Sequence, residues 1–185
     1  MYDKGVSSRS VVISGWATIA AGFALMAVHY FAGADGDPEG WFSAAGFGAP
    51  FVGTGCLALV GDRFAKPLLC LVGGVALAVM CVVSIIMIPL VVPAGFMIGS
   101  IRSASVEADS LVVPAIFAIG LVAAFGLLVF HQDPATWSTP DGGGGSSNIV
   151  TNAEALISLI IVTVVVLGSI MWSGRTTQQR HRTAR

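Results

Sequence analysis

Charged side chains are scarce in this chain of 185 residues. Asp, Glu, Lys and Arg together make up 10% of the sequence, whereas 55% is hydrophobic and the mean hydropathy is +0.86. A soluble domain carries about 25% charged residues, so this chain has too few of them to cover a surface that faces water. The composition excludes an ordinary soluble domain and predicts that lipid surrounds much of the molecule. Since the basic face of a soluble nucleic-acid-binding fold is missing too, we expect no nucleic-acid partner.

Motifs for metal binding and catalysis are also missing. The cysteines Cys56, Cys70 and Cys81 lie in apolar runs without the CxxC spacing of a zinc or redox site, and we interpret them as small buried hydrophobic residues. The glycines after Asp141 are not followed by the Lys-Ser or Lys-Thr pair of a phosphate-binding loop. We therefore expect no enzymatic activity from the chain itself, although it can belong to an enzyme complex.

Long apolar runs dominate what is present. The clearest run, 153–172, is about 20 residues long, which is the length that a helix needs to cross the core of a bilayer. Trp172 ends this run, and a basic tail at 174–185 follows, as at the cytoplasmic end of a membrane helix. Three further runs are expected to span in the same way: 11–31, 68–88 and 111–130. The sequence thus predicts an all-α integral membrane protein, with a bundle of four transmembrane helices in a single domain over residues 1–185.

A fifth apolar run at 41–60 is ambiguous. It is long enough to span, but its glycines and its proline are poor material for an unbroken helix. These residues are Gly46, Gly48, Pro50, Gly53 and Gly55. The run either spans with a kink at Pro50, enters and leaves on one side, or lies on the membrane surface. As a re-entrant segment it would line a pore; as a small-residue helix it would pack tightly on its neighbours.

Two other segments give local predictions. Gly95 and Gly99 form a GxxxG pattern, which favours contact between membrane helices. The composition of 132–152, rich in Gly and Ser, predicts a flexible loop outside the membrane. Thr151 and Glu154 have the spacing of a capping box, so the last helix is expected to begin there.

Basic residues near span ends predict the orientation, because they are retained on the cytoplasmic side. The count of Lys and Arg favours four spans with the N-terminus inside and 41–60 not crossing, which leaves only Arg63 and Lys66 outside. The C-terminus is then cytoplasmic, where its arginines contact anionic lipid head groups. These arginines are Arg175, Arg180, Arg182 and Arg185. The preference for Arg, Ala, Gly and Val is typical of a bacterial protein, so we expect the plasma (inner) membrane of a bacterium.

Two histidines support one cofactor hypothesis. His29 and His131 lie at span ends on the same side of that layout, and imidazoles on facing helices bind haem iron from both sides. The alternative is that each is an interfacial polar residue beside an aromatic one. The sequence predicts no cofactor, and haem b is the alternative that the two histidines leave open.

The leading hypothesis is a non-catalytic accessory or structural subunit of a larger membrane protein complex, with a respiratory or other energy-transducing assembly as its first setting. No ionisable residue lies deep in a span, as a proton relay would require, and many small residues suit packing on other helices. The expected partners are membrane lipids and other integral membrane subunits. One alternative is a small channel or carrier that uses 46–55. The other is a bis-histidine b-type haem protein.

Overall fold

The computed structural model describes residues 7–33, 40–83, 89–99, 111–131, 133–138, 144–149 and 151–183. Within these ranges the chain forms six helices and two strands. The helices are α1 (Ser7–Gly33), α2 (Gly40–Arg63), α3 (Pro67–Val83), α4 (Val91–Gly99), α5 (Val112–Phe130) and α6 (Asn152–Thr183). The strands, β1 (Asp133–Ser138) and β2 (Gly144–Ile149), lie between α5 and α6. The helical part of the fold prediction is therefore confirmed.

Four helices are long and apolar enough to cross a membrane. Their candidate spans are Arg9–Phe31, Trp41–Arg63, Val112–Phe130 and Asn152–Arg175. Helices α1, α5 and α6 cover the predicted spans 11–31, 111–130 and 153–172. These four apolar helices suggest a membrane location for the chain.

The second run matches one of its open alternatives, and the third differs from its prediction in the part that the structure describes. The ambiguous run 41–60 forms one continuous helix, α2, that passes through Pro50. The run 68–88, predicted as a firm span, gives α3, which has 17 residues and is therefore about 25 Å long at a rise of about 1.5 Å per residue. A bilayer core is about 30 Å thick, so the described part of α3 is too short to cross it. Residues 84–88 lie outside the described ranges.

Helix α2 lies at the centre of the bundle. Helices α1, α3, α5 and α6 pack around it, and α4 contacts α1 and α3. The apolar window of α2 is 72% buried, against 28% for α1, 33% for α5 and 28% for α6. Large apolar side chains on these outer helices point away from the bundle, among them Phe23, Ile119 and Val164. The interior around α2 combines alanines such as Ala49 and Ala58 with large apolar side chains such as Phe51, Leu57 and Phe125.

The segment between α5 and α6 contains a β-hairpin, although its composition predicted a flexible loop over 132–152. Strands β1 and β2 pair antiparallel, with Thr136 opposite Ser146 and Trp137 opposite Gly145. Thr and Trp favour strands, whereas the Gly, Ser and Asn of β2 do not. Composition therefore missed β2, because its pairing with β1 and not its own propensity makes it a strand.

Candidate functional site

The glycines of the predicted pore segment lie in contacts between helices. Gly48 and Gly55 are seven residues apart and face α1. A Cβ atom built on Gly48 would lie 2.4 Å from the carbonyl oxygen of Gly22, and one on Gly55 would lie 2.6 Å from that of Gly15. The two backbones therefore touch at two levels, and the pairing of Gly15 with Gly55 and Gly22 with Gly48 makes α1 and α2 antiparallel.

A second pair of glycines on α2 faces α5 and α6. A Cβ on Gly46 would lie 2.7 Å from the Cα of Ala155, and one on Gly53 would lie 2.7 Å from Cδ2 of Leu121 and 3.0 Å from Cγ1 of Val162. Gly46 contacts Ala155 and Gly53 contacts Val162, so the contacts run in the same order along the two helices, and α2 and α6 are parallel. The four glycines thus lie against three other helices, and the lining of a pore by 46–55 stays a prediction.

The break that Pro50 makes in the hydrogen bonds of α2 is repaired by α6. Proline has no backbone N–H, so it leaves the carbonyl of the residue four positions earlier, Gly46, without its donor. The buried hydroxyl of Ser158 donates to that carbonyl oxygen at 3.3 Å. Side chains of neighbouring helices satisfy carbonyls freed by proline in this way inside membranes. This explains why α2 continues through a sequence that favours a kink.

Gly95 and Gly99, the predicted GxxxG pair, make no such contact. Apart from the neighbouring backbone of α4 itself, no atom among the described residues lies within 4 Å of a Cβ built on either one. Both are exposed on α4, together with Val92 and Phe96. The small-residue face of α4 is therefore not used by the described part of the chain.

The two histidines of the haem hypothesis each have a partner within the protein. His29, on α1, is half-buried; its Nε2 lies 3.1 Å from Oγ of Ser43, and its ring stacks on Phe47 with a centroid separation of 5.4 Å and an interplanar angle of 4°. These contacts join the end of α1 to the start of α2. These contacts explain the presence of His29 at this end of the bundle, and they need no bound cofactor.

His131 joins the end of α5 to the start of α6. Its Nδ1 pairs with Oε1 of Glu154, whose side chain is 6% exposed whereas that of His131 is 73% exposed. The backbone N–H of Thr151 donates to Oε2 of Glu154 at 2.7 Å, and the N–H of Glu154 donates to Oγ1 of Thr151 at 3.4 Å. The predicted capping box is therefore confirmed. The contact with His131 was not predicted, because it joins residues that are 23 positions apart.

The haem hypothesis stays a prediction. In the described part of the chain, no group of three or more His, Cys, Asp and Glu side chains is placed to hold a metal ion. A haem iron needs only two protein ligands, so this finding does not decide it. If iron bound to Nε2 of His29 and Nδ1 of His131, the contact of His29 with Ser43 and that of His131 with Glu154 would have to break.

The turn between α2 and α3 lies at the opposite end, next to the C-terminal part of α6. Nζ of Lys66 lies 5.6 Å from the ring centroid of Trp172. We call the end with Lys66 and Trp172 the basic end and the end with His131 and Glu154 the hairpin end. Arg63 and Lys66 therefore lie at the same end as Arg175, whereas the layout drawn from the charge count separated them.

The predicted lipid contacts of the C-terminal arginines fall partly outside what the structure describes. Helix α6 continues beyond the apolar window into the basic tail, to Thr183. Arg175 is exposed on it, Arg180 and Arg182 belong to its last turns, and Arg185 lies outside the described residues. The tail thus begins as a continuation of the helix.

Comparison with known proteins gives no relative. No family model, no curated protein and no solved structure matches this chain. The contacts within the chain are therefore the basis for proposing its function.

Proposed function

We propose that this chain is a non-catalytic accessory subunit of a larger membrane protein complex. The support comes from the distribution of apolar side chains. Among the four candidate spans, α2 has the lowest hydropathy and is the most buried, and the more apolar α1, α5 and α6 are each mostly exposed. Water would reverse this order, whereas lipid tails leave large apolar side chains free to face outward.

The face of α4 is the observation that carries the subunit role. The space beside Gly46, Gly48, Gly53 and Gly55 of α2 is occupied by atoms of neighbouring helices, whereas the space beside Gly95 and Gly99 is open. Glycines four apart on a helix allow the backbone of another helix to approach closely. Valine and phenylalanine side chains border them, namely Val92 and Phe96, which are 62% and 53% exposed. A helix of another subunit fits this face.

The proposed location is the plasma membrane of a bacterium, with both termini in the cytoplasm. The basic side chains at the described helix ends support this orientation, since Arg9, Arg63, Lys66 and Arg175 all belong to the basic end. The rule that basic residues stay inside assigns this end to the cytoplasm. The hairpin end is then periplasmic or extracellular. A respiratory or other energy-transducing complex is the first setting to examine.

Purification in a mild detergent tests the subunit role. We expect the native chain to co-purify with other integral membrane proteins in a fixed ratio, measured by mass spectrometry of the isolated complex. The double variant Gly95→Leu/Gly99→Leu is expected to lose these proteins and to keep the fold, because its new side chains enter open space. A control, Ala123→Leu, places a leucine at an exposed position of α5 and should keep them.

Two outcomes would contradict the proposal. One is a native chain that always purifies alone as a single small particle. The other is a Gly95→Leu/Gly99→Leu variant that keeps every partner while its helix content, measured by circular dichroism, equals that of the native chain.

A further inference from the structure

We propose that the basic end binds one anionic phospholipid, whose phosphate is held by Arg63 and Lys66 and whose acyl chain lies along α6 beside Trp172. The proposal rests on the membrane placement of the chain, and it does not require a partner subunit. It concerns a defined position on the folded bundle, which is separate from general attraction of the C-terminal arginines to lipid.

The contact of Lys66 with Trp172 sets the depth of this site. The ammonium group lies over the indole ring at 5.6 Å from its centroid, a geometry in which the ring quadrupole attracts the cation. Tryptophan side chains collect at the level of lipid head groups. Both side chains are half-buried, so the charge of Lys66 is held at one place at this level.

Backbone hydrogen bonds order the turn that carries Arg63 and Lys66 before any ligand binds. The N–H of Lys66 donates to the carbonyl of Gly61 at 2.7 Å, and the N–H of Ala65 donates to that of Asp62 at 3.2 Å. These two bonds are those of a Schellman motif, which ends α2. A turn that is already ordered loses little conformational freedom when a ligand binds to it.

Other charged side chains at this end reinforce a positive potential. Arg175 follows Trp172 by one turn of α6, and Arg9 precedes Gly15, the glycine that packs on α2 at Gly55, by about two turns of α1. Arg9, Arg63 and Arg175 are exposed. Asp62 is the carboxylate that lies at this end within the described residues, and it opposes the field of these cations.

The neighbouring surface favours a phospholipid over a soluble phosphate. Met171, the neighbour of Trp172 in the chain, and Leu167, one turn before Met171, are exposed on α6, with 59% and 56% of their surface accessible. Their spacing of four residues puts them on the helix face that carries Arg175, and from Arg175 they lead toward the middle of the apolar window. A ligand with a phosphate and an acyl chain covers both surfaces at once, whereas a free phosphate leaves the apolar one uncovered.

Fluorescence of Trp172 provides the test. A chain that keeps Trp172 and carries Phe at the other tryptophans, Trp16, Trp41 and Trp137, is reconstituted into vesicles that contain brominated phosphatidylglycerol or brominated phosphatidylcholine. Bromine on the acyl chains quenches an adjacent indole, so the two lipids give a relative binding constant at this position. We expect phosphatidylglycerol to bind more tightly, and Lys66→Gln or Arg63→Gln to lower the ratio by up to about fivefold each, the size of one basic residue near a membrane surface.

Two matched measurements sharpen the result. Asp62→Asn should raise the preference for phosphatidylglycerol, because it removes the opposing charge. A chain that keeps Trp41 alone reports on the other end of the bundle and should show no preference. Inorganic phosphate added at the concentration of the lipid should leave the quenching of Trp172 unchanged.

Clear outcomes overturn the proposal. A ratio of one at Trp172, a ratio above one that neither Lys66→Gln nor Arg63→Gln changes, or displacement by inorganic phosphate would each contradict it. Flotation of the vesicles reports insertion separately, so a failure of membrane placement is distinguished from a failure of lipid selectivity. Co-purifying subunits have no part in this assay, so the subunit proposal stands or falls independently.

Discussion

Helices α2 and α6 are of similar span length, and they differ in where they lie and in what they are made of. The window of α2 has a mean hydropathy of 1.5 and is 72% buried, whereas that of α6 has a mean hydropathy of 2.6 and is 28% buried. In water the more apolar helix would be inside. Here the small-residue helix is inside, as the proposed membrane location would have it, because close approach of backbones, and not removal of apolar surface from water, stabilises helix contacts in lipid.

The largest expected effect comes from filling the contact between α1 and α2. Gly48→Leu places a side chain where a single Cβ already lies 2.4 Å from the Gly22 carbonyl oxygen. The helices must separate, and we expect a loss of about 3 kcal/mol in the free energy of unfolding, measured by SDS titration of the protein in mixed micelles. Ala123→Leu, at an exposed position of α5, should change it little. Equal stability of the two variants would contradict the claim that α2 is tightly packed and that α5 is open on its outer face.

A smaller effect is expected where α6 supports α2. Ser158→Ala removes the donor to the carbonyl of Gly46 and should cost about 1 kcal/mol, in the range of side-chain hydrogen bonds between membrane helices. In a Pro50→Ala background the backbone N–H of residue 50 takes over as donor, so most of that cost should disappear. The same titration on the four proteins of this double-mutant cycle measures the coupling, and a coupling of zero would show that the hydroxyl does not replace the missing backbone bond.

A change in the opposite direction is expected at the turn after α2. Ala65 has a φ of 51°, in the left-handed region where a side chain is strained and glycine is not. Ala65→Gly should therefore stabilise the protein by about 0.5 kcal/mol, after allowing for the greater freedom of glycine in the unfolded chain. Ala58→Gly, within the regular part of α2, is the control and should destabilise. A loss of stability at Ala65→Gly would contradict the geometry of this turn.

The smallest effect is expected on the outer face. Ile119 is 68% exposed on α5, so in the proposed membrane location Ile119→Ala replaces a contact with lipid by another contact with lipid. We expect a change below about 0.5 kcal/mol, as for surface positions generally. Unfolding of this variant under the conditions that preserve the native chain would mean that the outer face is covered by protein, and it would sharpen the search for a partner helix.

The sequence predicted the elements whose signal is local. The run 153–172 was recognisable from its length, its terminal Trp172 and the basic tail, and the capping box at Thr151 and Glu154 was recognisable from spacing alone. Each depends on residues that are neighbours along the chain. Apolar length and end signals were therefore sufficient for α1, α5 and α6.

The elements that the sequence left open depend on contacts between distant residues. The carbonyl that Pro50 leaves without a donor in α2 is bonded by Ser158, which is more than 100 positions away and shows no pattern that links it to Gly46. The contact of Lys66 with Trp172 depends in the same way on how helices meet. The layout drawn from charge counts placed Lys66 on the wrong end relative to α6 because it treated 41–60 as not crossing.

Labelling from within the bilayer tests the central claim most directly. A phospholipid with a photoactivated carbene on its acyl chain is incorporated into vesicles with the protein, and labelled residues are identified by mass spectrometry. The account predicts labelling of Phe23, Ile119 and Leu167 on the outer helices and little labelling of Leu57 and Ala58 in α2. Labelling of α2 as heavy as that of α5 and α6, or a chain that stays in solution without detergent, would contradict it.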